Sequence, residues 1–152
     1  MSILTRIVRQ PIDVSALLAE VQDTANGATV LFLGHVRDMN DGRPVAGIEY
    51  SAYGEMAERE LAAIASECAS AFGIAHLAIE HRLGTLALGE ASIAIAVAHP
   101  HRAPAYEASR FIIEEVKRRL PIWKREGYVD GSNEWVNANG VPEPNAKPEH
   151  RT

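Results

Sequence analysis

Short apolar runs alternate with long helical segments along this chain, and this alternation constrains the fold more than any other feature. Residues 55–73 and 104–120 carry apolar side chains at the three- and four-residue spacing of one helix face. A shorter helical segment follows Asp13, a residue type that favours the helix N-cap. Strand-like runs lie between these segments. The sequence therefore predicts an α+β fold with three main helices and a largely antiparallel sheet.

Glycine and proline mark where the predicted helices begin and end. Gly73 is expected to end the second helix, since glycine adopts the left-handed conformation at little cost. Pro104 stands where it would start the third helix, and Pro121 would stop it. One face of this third helix is predicted to be buried. It comprises Tyr106, Ser109, Ile112, Ile113, Val116 and Leu120.

Two Asp-Gly pairs predict turns between strands. Residues 41–42 separate the apolar runs 27–38 and 45–53, which we therefore expect to pair as an antiparallel hairpin. Residues 130–131 predict the turn of a second, C-terminal hairpin. We expect one domain over residues 1–136. Residues 137–152 mix Asn, Gly and Pro without periodicity, which is typical of a loose tail.

Composition excludes several classes of protein. The net charge of −5 argues against a nucleic-acid binder that relies on bulk electrostatics, and no run of 18 apolar residues predicts a membrane span. A single cysteine, Cys68, cannot form an intrachain disulfide, so we expect a reducing, cytoplasmic setting. The six histidines show no HExxH or comparable spacing, and no GxGxxG or P-loop occurs. Neither a metal nor a cofactor is expected.

An anion site is one interpretation of the start of the third helix. His99, His101 and Arg102 lie between the end of a predicted strand and that helix. Free backbone N–H groups at a helix N-terminus attract anions, and His101 with Arg102 would complete a phosphate or carboxylate site. The alternative is an ordinary helix cap with solvated side chains. The local sequence leaves both open.

Lysine is rare here, with three lysines against twelve arginines. Lys117 lies at the edge of the third helix's apolar face, and Lys124 follows Trp123 in a predicted strand. The two amines converge only if Pro121 turns the chain back. A partly desolvated amine has a lowered pKa and can act as an acid, base or nucleophile, which a guanidinium cannot. Either lysine could instead be a solvated flanking residue.

Two further residues have competing interpretations. Arg37 ends a predicted strand beside a loop, where it is either an exposed charge or an anion ligand. Cys68 stands among alanines of the second helix and has no histidine or second cysteine nearby in sequence. We therefore expect a small packed side chain rather than a reactive thiolate.

Several motifs together resemble the family of molybdopterin synthase catalytic (large) subunits. The matching motifs are GHVRD with a Gly-containing loop, EHRLGTLALGEASIAIAVAHPHR, the helix end VKRRLPIWKRE, and a closing EWV. The resemblance covers roughly residues 3–137. It implies an α/β-hammerhead type of α+β fold, in which residues 1–136 form a single catalytic domain.

The resemblance also implies an activity and partners. Sulfur would be transferred into cyclic pyranopterin monophosphate, making the dithiolene of molybdopterin. Its donor would be a small ubiquitin-like subunit whose C-terminal Gly-Gly is a thiocarboxylate and threads into a pocket of the large subunit. Two large subunits would form a homodimer within a heterotetramer.

Residue by residue, the resemblance assigns catalysis to Lys117 and Lys124. The substrate-binding residues that it implies are Arg37, His101, Arg102, Lys117, Lys124, Arg125 and Glu126. The family pocket is shared across the dimer, so Arg37 could serve the neighbouring subunit's site. His35 departs from the family pattern, and its possible place in the site stays open.

A rival hypothesis is a non-enzymatic α+β module. The same basic cluster would let such a module bind a small phosphate ligand or a protein tail without turnover. Turnover that requires the sulfur-carrying partner distinguishes the two hypotheses. A nucleic-acid binder has less support, since the chain is acidic and lacks interleaved aromatic and basic residues.

Overall fold

The computed structural model describes residues 1–137, which form three helices and nine strands. The helices are α1 (Val14–Glu20), α2 (Gly54–Phe72) and α3 (Arg102–Arg119). The strands are β1 (Ser2–Val8), β2 (Ala28–His35), β3 (Met39–Asn40), β4 (Arg43–Ala52), β5 (His76–Arg82), β6 (Gly84–Ala87), β7 (Ala91–His99), β8 (Ile122–Tyr128) and β9 (Asn133–Asn137). The predicted α+β fold with three helices is confirmed. The predicted tail, apart from Asn137 at the end of β9, lies outside the described residues.

The first sheet has the strand order β1-β5-β7-β2 and separates two apolar layers. Only the β1–β5 pair is parallel. On β7, Ile93, Ile95 and Val97 face the larger core beneath α2 and α3, whereas the alanines between them face α1. Side chains alternate across a strand, so this pattern of large and small residues gives the sheet one thick and one thin layer.

The second sheet has the order β3-β4-β8-β9, with β6 also paired to β4. The predicted hairpin between the runs 27–38 and 45–53 is wrong, because β2 pairs with β7 and not with β4. The turn at residues 41–42 instead joins β4 to the two-residue strand β3, with φ of 49° at Asp41 and 78° at Gly42. A tight turn fixes only its nearest pairs, and burial of an apolar face against the helices decides where β2 goes.

The helix ends follow their local signals. Asp13 accepts a hydrogen bond from the Ala16 amide at 3.1 Å and caps α1, as predicted. Gly73 ends α2 with φ of 66°. Helix α3 begins at Arg102, two residues before Pro104, and it ends as predicted before Pro121. The second predicted turn, at residues 130–131, joins β8 to β9.

The buried face of α3 differs from its prediction at the first turn. Ser109, Ile112, Val116 and Leu120 are buried, but Tyr106 is 65% exposed. The small residues Ala105 and Ala108 take the inward positions there. They allow close approach to α2, where the Cys68 sulfur lies 3.7 Å from the Ala108 carbonyl oxygen.

No helix within residues 1–137 is long and apolar enough to cross a membrane. In the same range, no group of three or more His, Cys, Asp or Glu side chains is arranged to hold a metal ion. The cytoplasmic setting stays a prediction.

Candidate active site

The site forms where α3 gives way to β8. Leu120 follows α3 in an extended conformation, with φ of −72° and ψ of 125°, because a residue before proline disfavours the helical region. The chain then returns as β8 along β4. Lys117, in the last turn of α3, and Lys124, on β8, thereby line the same cavity. The condition for their convergence, a reversal at Pro121, is met.

The cavity has two connected parts, which share Lys117 and Lys124. The outer part, of about 230 Å³, is also lined by His35, Arg37 and Glu126. The inner part, of about 30 Å³, is mainly apolar and has room for little more than a water-sized group. A small anionic ligand fits the outer part, with only a narrow extension reaching inward.

The two amines have different electrostatic surroundings. Lys124 Nζ lies 3.6 Å from Glu126 Oε1, so this amine has a carboxylate partner. No carboxylate in residues 1–137 lies within ion-pair distance of Lys117. Burial lowers the pKa of Lys117, and the charges of Lys124 and Arg37 lower it further. Both effects favour the neutral form of the Lys117 amine.

Hydrogen bonds through the Tyr128 hydroxyl hold the Glu126 side chain in place. Its side chain is almost completely buried, and the Tyr128 hydroxyl donates to Glu126 Oε2 at 3.4 Å. The Asn40 side-chain amide donates in turn to that hydroxyl at 3.3 Å. A buried carboxylate is costly unless its oxygens have hydrogen-bond or ion-pair partners. This chain of contacts keeps Glu126 beside Lys124.

Three polar residues of the inner wall were missed by the sequence interpretation. Tyr50, His81 and Ser92 come from β4, β5 and β7 and line the inner part of the cavity. Burial raises the pKa of Tyr50; the Ser92 hydroxyl opposes this effect and Glu126 adds to it. Burial lowers the pKa of His81 to about 4, so this ring is neutral at pH 7. The available signal in the sequence was a polar side chain at a buried or half-buried position of each strand.

The structure brings together some of the predicted site residues and separates others. Arg37, Lys117, Lys124 and Glu126 line the cavity of one chain, and His35 lies at its edge with Nδ1 3.1 Å from the Gly89 carbonyl oxygen. The structure thus places His35 beside the cavity but assigns it no role. Arg37 stands in its own chain's cavity.

Other predicted residues lie outside this cavity. His101 is the N-cap of α3 and Arg102 its first residue, and both are exposed. Arg125 is also exposed and points away from Lys124, pairing with Glu49 and lying 5.6 Å from the centre of the Trp135 ring. Any contact of these three with a ligand stays a prediction.

Cys68 is completely buried between α2 and α3, away from the cavity. Burial raises the pKa of its thiol to about 12, so the thiolate nucleophile is essentially absent at neutral pH. The predicted packing role is confirmed.

Comparison with known proteins shows the family to which the chain belongs. The family model described as MoaE protein matches residues 7–119. The chain belongs to the MoaE protein family. Three relatives, each a molybdopterin synthase catalytic subunit, illustrate the sequence identity and the coverage of these matches. The Coccidioides immitis protein is 42% identical, and the match covers 95% of this chain and 75% of that protein. The Oryza sativa protein is 48% identical, and the match covers 79% of this chain and 62% of that protein. The Bacillus subtilis protein is 39% identical, and the match covers 94% of this chain and 92% of that protein.

Solved structures in this family share the fold. Molybdopterin synthase from Staphylococcus aureus superposes with a TM-score of 0.81 at 37% identity, covering 86% of this chain and 95% of its own. The MoaE protein from Burkholderia ambifaria superposes with a TM-score of 0.77 at 31% identity, covering 91% and 90%. The resemblance to molybdopterin synthase catalytic subunits, with the fold that it implies, is confirmed. Membership of this family favours an enzyme subunit of molybdenum cofactor biosynthesis over a non-enzymatic module.

Proposed function

We propose that this MoaE-family chain is a sulfurtransferase that moves sulfur from a thiocarboxylate to cyclic pyranopterin monophosphate. The donor is the C-terminal Gly-Gly thiocarboxylate of a small ubiquitin-like partner, and the product is the molybdopterin dithiolene. One observation carries the proposal: Lys117 and Lys124, two amines with unlike surroundings, face one cavity together with Arg37.

The charge of the cavity suits both reactants. A thiocarboxylate and a pterin phosphate are anions, and the chain as a whole carries a net charge of −5. Arg37, Lys117 and Lys124 confine positive charge to the cavity, where Glu126 is the carboxylate among the lining residues. A cleft lined mainly by one sign of charge raises the local concentration of oppositely charged ligands.

The proposed chemistry needs no sulfur from this chain. The thiocarboxylate sulfur attacks a side-chain carbon of the pterin, a C–S bond forms, and an oxygen leaves that carbon with a proton. Water then cleaves the acyl–sulfur bond, so that the partner departs as a carboxylate and the sulfur stays on the pterin. Two such transfers supply the two sulfurs. The buried, protonated thiol of Cys68 is consistent with a sulfur source outside this chain.

The two lysines take different roles in this scheme. Lys124, paired with Glu126, supplies positive charge that stabilises negative charge developing on the acyl oxygen or the phosphate. Lys117 has a lowered pKa and no carboxylate partner within residues 1–137, which suits proton transfer to the leaving oxygen.

The assembly is also part of the proposal. A solved complex of subunits 1 and 2 of molybdopterin-converting factor from Helicobacter pylori has the same fold at 24% identity, with a TM-score of 0.68. We infer a homodimer of this chain with one small subunit at each end. His101, Arg102 and Arg125 lie outside the cavity of their own chain, and we infer that His101 and Arg102 reach the cavity of the neighbouring chain, where they bind the substrate's phosphate.

Reconstitution from purified components tests the function. The chain is mixed with cyclic pyranopterin monophosphate and either the thiocarboxylated partner or the same partner ending in an ordinary carboxylate. Dithiolene is expected only with the thiocarboxylate. Tight binding of pterin and partner without any dithiolene would instead support the non-enzymatic module.

A further inference from the structure

Behind Lys117 the cavity wall contains a buried histidine that the proposed mechanism does not use. His81 lies on β5, a central strand of the first sheet, and is 6% exposed. It lines the inner part of the cavity together with Lys117 and Lys124. This buried imidazole shares the cavity with an amine that has no ion-pair partner within residues 1–137, and the hydrogen bonds of a buried polar ring must be accounted for.

One nitrogen of the His81 ring is already engaged. Nδ1 lies 3.1 Å from the Arg82 carbonyl oxygen. A carbonyl oxygen only accepts, so Nδ1 carries the proton of the neutral ring, and Nε2 is left with its lone pair. Nε2 has no hydrogen-bond partner among residues 1–137. The ring of Tyr50 packs against His81 edge-on, with centroids 5.4 Å apart, and restricts its rotation.

The groups that face Lys117 come from four different elements besides its own helix. They are His35, Arg37, Tyr50, His81, Lys124 and Glu126. Arg37 and Lys124 repel the Lys117 ammonium, and Glu126 is committed to Lys124 at 3.6 Å. Tyr50 and His81 share the inner part with Lys117, and only His81 presents a nitrogen lone pair there.

We propose that His81 is a positioning residue for Lys117: the Lys117 side chain, which makes no hydrogen bond with His81 in this structure, turns so that its ammonium donates to the open Nε2, which then holds the amine over the inner part of the cavity. This role depends on the proposed function only for the reaction that the positioned Lys117 amine carries out. The low pKa of His81, about 4, keeps the lone pair available throughout the neutral range. Arg82 is fixed in turn by Glu90 at 3.1 Å, which stabilises the segment that sets the tautomer.

The rarity of lysine makes a direct test possible. The chain contains three lysines, so protein labelled with ¹³C and ¹⁵N in lysine gives three side-chain NMR signals to titrate. Lys117→Arg and Lys124→Arg assign the signals by their loss. The pKa of the Lys117 amine is then read without any substrate, partner or turnover.

Two variants of His81 distinguish the roles of its two ring nitrogens. His81→Asn places an amide N–H near the Arg82 carbonyl but removes the acceptor at Nε2, whereas His81→Gln carries an acceptor at about the Nε2 position. Loss of an acceptor destabilises the ammonium, so His81→Asn should lower the pKa of Lys117 by about one unit. With His81→Gln the Lys117 pKa should stay within about 0.3 unit of wild type, and the Lys124 signal should move in neither variant.

An unchanged Lys117 pKa in folded His81→Asn would overturn the proposal. If the asparagine variant does not fold, His81→Phe, which fills the volume without an acceptor, takes its place with the same expectation. The wild-type protein gives an independent check. ¹⁵N spectra at pH 7 should show His81 protonated at Nδ1 only, and a protonated Nε2 would refute the proposal.

Failure of the proposed function would look different. If His81→Asn shifts the Lys117 pKa but leaves the pH profile of dithiolene formation unchanged, the positioning role stands and Lys117 is not the proton carrier. If the pKa stays constant while Lys117→Arg still abolishes turnover, the positioning role is wrong and the proposed function stands.

Discussion

Lys117 and Lys124 approach one cavity from opposite sides of Pro121, and among residues 1–137 only Lys124 has a carboxylate partner, Glu126, at 3.6 Å. The two amines are chemically distinct for this reason. One is a compensated cation, while the other is partly desolvated where it enters the cavity and is repelled by its neighbours. Two lysines in the same cavity can therefore divide anion binding and proton transfer between them.

Mixing two inactive variants tests the shared site. Arg102→Ala and Lys117→Ala are each expected to be nearly inactive but folded, since Arg102 is exposed. After subunit exchange, half of the dimers are mixed, and each mixed dimer contains one site with both residues intact. Activity should return to about a quarter of wild type. A mixture as inactive as its components would place Arg102 outside the partner's site.

Cys68→Ala tests the source of the sulfur. The thiol is buried, protonated and distant from the cavity, so dithiolene formation should stay within about twofold of wild type. The free energy of unfolding should fall by about 1 kcal/mol through loss of packing. A folded Cys68→Ala protein without turnover would show that this chain handles sulfur itself.

The neutral His81 predicts how stability depends on pH. The native state holds the ring neutral down to about pH 4, whereas the unfolded chain takes up the proton near pH 6.5. Between these values the unfolded state binds more protons, so the free energy of unfolding decreases as the pH falls. The loss should be on the order of 3 kcal/mol across this window.

Chemical denaturation at pH 7 and pH 4.5 measures this loss, with His81→Asn as the control. Carboxylates whose pKa is lowered by ion pairs or hydrogen bonds, such as Glu90 and Glu115, act equally in both proteins. Wild type should therefore lose more stability on acidification than the variant. Equal losses would mean that His81 is not buried in its neutral form.

Gly27→Ala should destabilise the fold. A Cβ at this position would lie 2.7 Å from the Pro100 carbonyl oxygen, and backbone there cannot yield without shifting the link between β7 and α3. We expect a cost of about 1–3 kcal/mol in thermal or chemical unfolding. Thr29→Ala, an exposed change on β2, is the control. Equal stability of the two variants would contradict the close approach.

Local signals in the sequence were enough to predict much of this structure. Asp13, Gly73 and Pro121 set helix ends through their own backbone preferences. Pro121 also allowed the convergence of Lys117 and Lys124 to be stated in advance as a condition. These predictions succeeded because each depends on a few adjacent residues.

Long-range pairing was beyond the sequence. The turn at residues 41–42 was correctly located, but it said nothing about which distant strand completes β2. His81 and Tyr50 can be recognised as cavity residues only from the tertiary structure, in which β4, β5 and α3 enclose them in one cavity. The position of Arg102 relative to the cavity likewise depends on tertiary packing, which no local pattern encodes.

Exchange of lysine for arginine tests the central claim most directly. Arginine keeps the charge but moves it, and it cannot give up a proton at neutral pH. Lys117→Arg therefore loses proton transfer, and Lys124→Arg displaces the cation from the negative charge that it stabilises. Single-turnover dithiolene formation should fall by about 10²-fold or more for Lys117→Arg and for Lys124→Arg, while both bind the partner nearly normally. Lys147→Arg, outside the described residues, is the matched control and should be silent.

The decisive measurement is the single-turnover rate of dithiolene formation by Lys117→Arg, with saturating thiocarboxylated partner and cyclic pyranopterin monophosphate. A rate lower than wild type by about 10²-fold, with partner affinity preserved, is the result expected if the Lys117 amine transfers a proton. A rate within about threefold of wild type, or under about 0.7 kcal/mol of barrier, would contradict proton transfer by Lys117 and leave the amine as a charge alone.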